Sequence, residues 1–157
     1  MIILLDNTVL SNFALVGRAD LLQQSLDQTA ATTVQVLQEF QRGVDLGLLP
    51  NTDWSWLRVL TLAPQEEALY QQLCERLNEG EASCLAIAAQ QKDRVLTDDR
   101  DARWIATQMQ IPISGTLGLL RYLVERESLP LSAADRLLRL MIELGYRSPV
   151  ESIAELL

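Results

Sequence analysis

The chain has 157 residues, 48% of them hydrophobic, enough to bury one compact core without disulfides or a structural metal. It carries a net charge of −8 and no His; this excludes His-based acid–base catalysis and most zinc sites, and it disfavours broad nonspecific binding to duplex DNA. Its two cysteines, Cys74 and Cys84, both fall in helical patterns and read as small buried residues of a reduced compartment.

Along the chain, short apolar runs alternate with amphipathic ones. Ile2 to Leu5 are apolar throughout, as in a strand buried on both faces. Val9–Val16 and Ala19–Leu26 follow as helices, and Thr29–Ala31 as a second strand. Thr33 is placed to cap a helix with Val34, Leu37, Phe40 and Val44 on its inner face. Trp56–Leu62 is a third strand, and Pro64 opens a helix with Leu69, Tyr70, Leu73 and Leu77 as its stripe. Gly80 separates it from a helix beginning at Glu81.

Arg94–Thr97 is a fourth strand, with Asp98 or Asp99 capping the helix Arg100–Gln110. Ile111–Ser114 is a fifth, and Leu117, Leu120 and Val124 belong to the next helix. After a break at Ser128–Leu131, Ser132 caps a last long helix carrying Leu137, Leu138, Met141 and Leu144, ended by Gly145. Strands separated by helices predict a parallel sheet covered on both faces.

In such sheets ligands sit outside the carboxyl ends of the strands. Asp6 follows the first strand, Asp98 and Asp99 follow the fourth, Glu81 opens a helix, and Glu39 lies beside an apolar stripe. Each has an ordinary role available: an Asp cap contributes about 1 kcal/mol, and a Glu in a first helical turn about 0.3–1 kcal/mol. Taken together they favour a divalent cation, because crowded carboxylates raise one another's pKa and a hard cation offsets that cost. The string "LLDNT" is similar to the phosphatase motif of haloacid-dehalogenase-like enzymes, but Leu4 stands where their nucleophilic Asp belongs.

The strings "LLDNTVLSNFALVGR", "VQVLQEF", "GEASCLAIAAQ", "VLTDDRDAR" and "ISGTLGLLRYLVERE" resemble, in order and context, those of prokaryotic PIN-domain proteins, more distantly the VapC toxins. The resemblance runs from Met1 to about Gly145. It implies a three-layer α/β/α sandwich around a mainly parallel sheet of four to five strands, forming one domain over residues 1–157 with a helical C-terminal extension from about residue 128. It also implies a ribonuclease that uses Mg²⁺ or Mn²⁺, held by Asp6, Glu39, Glu81 and Asp99, with Asp98 as the adjacent alternative. Thr8 matches the hydroxyl residue that orients the first Asp.

Arg100 and Arg103 are candidate RNA contacts; solvated helix positions, or partners of Asp98 and Asp101, are their ordinary reading. Trp54 and Trp56 read as core or interface residues in preference to base-stacking platforms. The expected partners are an RNA substrate, a second copy in a homodimer and, for a toxin, an antitoxin protein. The alternative function is a catalytically inactive PIN-like module that binds protein or nucleic acid. No run of about 18 apolar residues predicts a membrane span, and the N-terminus lacks a basic segment and a signal-type cleavage site, so a cytoplasmic chain is expected.

Overall fold

The computed structural model describes residues 1–157. The first strand, β1 (Ile3–Leu5), lies at the centre of a five-stranded sheet. It pairs with β2 (Ala30–Thr33) on one side and β4 (Arg94–Leu96) on the other, with Leu4 opposite Ala31 and Val95. The outer strands are β3 (Arg58–Leu60) beside β2 and β5 (Ile113–Ser114) beside β4. All four pairings are parallel, and the order is β3-β2-β1-β4-β5. The chain thus winds outward from β1 to β3, then returns to the other side of β1, which puts the topological switch point between β1 and β4.

Eight α-helices accompany the strands: α1 (Asn7–Leu15), α2 (Asp20–Leu26), α3 (Val34–Asp45), α4 (Glu67–Leu73), α5 (Glu79–Gln91), α6 (Arg100–Gln108), α7 (Thr116–Glu125) and α8 (Leu131–Glu143). They cover both faces of the sheet, giving the three-layer α/β/α arrangement. One contiguous core joins Leu4 and Leu5 of β1 with Phe13, Leu85, Leu120, Leu138 and Met141, so α8 contributes to the same core as the sheet.

Several boundaries differ from the sequence reading, each for a local reason. The α5 helix begins at Glu79, with Gly80 inside its first turn, because the Asn78 side chain caps it by accepting from the Glu81 amide at 2.9 Å. The α8 helix begins at Leu131 after Pro130, so Ser132 lies within the first turn and caps nothing. On α3 the fully buried positions are Val36 and Phe40, with Leu37 and Val44 at the flanks; Val34, at the helix start, is only half-buried. Pro64 opens a short 3₁₀ turn, Pro64–Glu66, ahead of α4. Leu144, read as part of the last apolar stripe, is exposed. Trp54 is buried and packs edge-to-face on Phe40 at 5.3 Å, with Trp56 beside it, so the core reading of this pair holds.

Candidate metal centre and cleft

Asp6 leaves β1 at the switch point and caps α1. Its Oδ1 accepts from the Asn7 amide at 2.7 Å; its Oδ2 accepts from the Thr97 hydroxyl at 2.7 Å and the Thr8 hydroxyl at 3.2 Å. The backbone fixes it as well, through the Asp6 amide donating to Leu96 O at 3.0 Å. Thr8 Oγ1 in turn accepts from the Asp98 amide at 2.9 Å, so one hydroxyl ties the end of β1 to the end of β4. Thr8 thus touches both the Asp6 carboxylate and the end of β4. Thr97, which makes the shorter bond to Asp6, was not singled out from the sequence, although its place in "LTDD" directly before the paired acids was the available signal.

Asp6 is only 1% exposed. Burial pushes its carboxyl up to about 6; the Thr97, Asn7 and Thr8 bonds pull it down, and the Asp99 charge pushes it up again. The same pattern recurs at the other acids. Glu81, in the first turn of α5, is pushed up to about 8 by burial and by the charges of Asp6, Asp99 and Glu39. Glu39 on α3 is raised by burial and by Asp6, partly offset by Arg42 and the Asn7 side chain, with Asp99 raising it further. The charge of Asp99, at the β4–α6 junction, thus acts on Asp6, Glu39 and Glu81, and that of Asp6 acts on both glutamates.

The close approach of α3 and α5 sets the glutamates there. A Cβ on Gly80 would come within 3.3 Å of the Val36 side chain and 3.5 Å of its Cα. The Thr33 and Ser83 hydroxyls meet at 2.7 Å between the same helices, and Ser83 donates onward to Gly80 O at 2.7 Å.

The two adjacent aspartates do different work. Asp99 caps α6, its Oδ2 accepting from the Ala102 amide at 2.9 Å, and its charge acts on Asp6, Glu39 and Glu81. Asp98 faces the other way. Its Oδ1 accepts from the Thr116 backbone amide at 2.9 Å, and its Oδ2 accepts from the Asn12 side-chain Nδ2 at 3.0 Å and from the Thr116 hydroxyl. Both oxygens are used in joining α1, the end of β4 and the start of α7. Burial raises its pKa, and Thr116, Arg103 and Asn12 moderate the shift. Gly115 makes the clamp possible, since a Cβ there would overlap Asp98 Oδ1 and sit 3.0 Å from Thr97 O.

No three acids converge tightly enough to enclose an ion by direct bonds alone. A hydrated Mg²⁺ does not require that, because it keeps several waters and takes only one or two carboxylates directly. The donor chemistry is all oxygen, and the mutual repulsion of the acids is the cost such a cation relieves. Arg100 is exposed at the start of α6; Arg103 is half-buried and fixed by its Nη1 donating to Thr97 O at 2.9 Å. Both line a cleft of about 1140 Å³ that opens beside Asp99.

A family model, DUF3368, described as a PIN domain, matches residues 2–157. The chain belongs to the PIN-domain family. PIN domains are a nuclease-type fold that typically uses divalent metals, and the parallel α/β/α architecture with its acid-lined switch point agrees with that membership. The PIN match continues past Gly145 to the end of the C-terminal segment, beyond the span of the sequence resemblance. No curated protein matches the chain significantly.

Proposed function

We propose that this PIN domain is a Mg²⁺- or Mn²⁺-dependent endoribonuclease in which Asp6, Glu39, Glu81 and Asp99 hold the cation. The observation that carries the reading is electrostatic: the charges of Asp6 and Asp99 raise both Glu39 and Glu81, Asp99 raises Asp6 as well, and Arg42 is the positive charge that offsets this at Glu39. A fold gains nothing in stability from such a cluster, so a cation is the natural reason to keep it. When bound, a divalent ion supplies Lewis-acid polarisation of a phosphodiester and activation of water.

The protein's own part is positioning. Thr97 and Thr8 fix the Asp6 carboxylate so that it meets a ligand in one orientation. Asp99 is held by its helix cap, and its charge acts on Asp6, Glu39 and Glu81. Asp98 acts as a positioning residue: it locks the start of α7 and the β4 end into the walls of the cleft. Arg103, anchored on Thr97 O, is a fixed cation beside the acids for a substrate phosphate. In a toxin–antitoxin setting, the antitoxin would cover this opening.

The test is cleavage of a mixed pool of RNA by the purified chain with Mn²⁺ and with chelator. Wild type should cut only with Mn²⁺. Asp6→Asn and Glu81→Gln should each lower the rate by at least about 100-fold, the scale of losing one metal-orienting group. Metal-independent cleavage, or full activity in both variants, contradicts the proposal. Absence of cleavage with retained RNA binding would favour the binding-module reading.

A further inference from the structure

The cleft beside Asp99 has an unusual charge for this chain. Four arginines line it, Arg100, Arg103, Arg121 and Arg147, against two aspartates, in a molecule whose net charge is −8. Of the four, only Arg121 has a carboxylate within ion-pair distance, the exposed Glu125 at 2.7 Å, and exposed pairs of that kind hold little energy. Arg100, Arg103 and Arg147 therefore face the opening with no salt-bridge partner. At about 1140 Å³ the space exceeds the usual range of small-ligand pockets, about 300–1,000 Å³.

The far wall is built as carefully as the acid side. Gly145, at φ +116, turns the chain out of α8, and the Tyr146 amide closes the turn on Met141 O at 2.9 Å. Beyond the cleft, Asp135 of α8 accepts from the Ser152 hydroxyl at 3.0 Å and the Ile153 amide at 2.8 Å, and Ile153 is fully buried. The segment from Gly145 to Pro149 is thereby pinned at both ends, and Tyr146 is half-buried close to the charges of Asp98 and Arg103. A pinned wall carrying an unpaired arginine, facing three more arginines on α6 and α7, is a track for an extended polyanion.

We propose that this cleft holds the phosphate backbone of a single-stranded RNA to one side of the acid centre, with Arg121 and Arg147 as positioning residues supplied by α7 and the C-terminal segment. The inference rests on the nuclease reading for the identity of the strand, but its test does not depend on cleavage. A concave track with Asp98 and Asp99 in its wall suits a flexible strand, which can bend into it, better than a rigid duplex.

The experiment is fluorescence anisotropy of a short labelled single-stranded RNA with the Asp6→Asn protein in chelator, at about 50 and about 200 mM salt. Adding Arg121→Ala and Arg147→Ala together should weaken binding about tenfold and reduce the salt slope by about 1.4, the share of two single-strand phosphate contacts. Replacing both by Lys should restore most of the slope, which a merely structural role would not do. In the otherwise wild-type protein, the double Ala change should raise KM for RNA and leave kcat close to its original value. Unchanged affinity and slope in the double Ala variant, or tighter binding of duplex RNA or single-stranded DNA, overturns the proposal. Loss of the binding effect with cleavage intact removes only the cleft; intact, Arg-dependent binding with no cleavage removes only the nuclease reading.

Discussion

Glu81 is the acid that the fold makes most uncomfortable, and its discomfort has a measurable sign. Its folded-state carboxyl lies at about 8 and that of Asp6 at about 6, both above their ordinary values. Between the ordinary carboxylate range and these values, the folded state binds more protons than the unfolded state. The stability of the metal-free protein must therefore fall as pH rises through that window. Above about pH 6, where the Asp6 shift is spent, Glu81 is the main source of the slope. Urea unfolding in chelator should show stability declining from pH 6 to pH 8, and Glu81→Gln should flatten that decline. A stability that rises over this interval would contradict the buried-acid account. At this scale the sequence was informative about which acids to watch, because strand ends and helix starts mark them. It was silent on Asp98 against Asp99: adjacent residues at a strand end point in different directions, and only the position of α7 decides which one is consumed by structure.

At the scale of elements, two glycines show why the site is assembled where it is. Gly80 lets α5 approach Val36 of α3, which brings Glu81 and Glu39 to a common space, and Gly115 leaves room for the Asp98 clamp. Gly115→Ala should cost about 1–3 kcal/mol in urea denaturation, because its Cβ overlaps the carboxylate that holds the Thr116 amide. A change near zero would mean that the clamp is not tight. The alternation of apolar runs revealed the strands, since a period of two or a fully buried run survives in any sequence window. Gly80 was misread as a separator because a glycine needed for close helix packing looks, in sequence, like one that ends a helix. Ser132 misled for a related reason: Pro130 and Leu131 already start α8, so the Ser hydroxyl arrives two residues too late to cap it.

For the whole molecule, the order β3-β2-β1-β4-β5 explains both halves of the surface at issue. The reversal between β1 and β4 sets Asp6 and Asp99 at neighbouring strand ends, where their charges act on the glutamates of α3 and α5. The helices after β4 and β5 and the returning C-terminal segment then raise arginine-bearing walls beside it. The arginine cleft was the least legible feature in the sequence, because Arg100 and Arg103 lie far along the chain from Arg147 and nothing local joins them. The acid centre remains the claim on which the account depends. It is tested most directly by the thermal midpoint of the metal-free protein with and without saturating Mn²⁺, for wild type and Asp6→Asn. At about 100 times Kd, a site of this kind adds about 2.7 kcal/mol, or about 5–10 °C for a chain of this size. The account predicts that rise in wild type and its loss in Asp6→Asn; no rise in wild type, or an equal rise in both proteins, would contradict it.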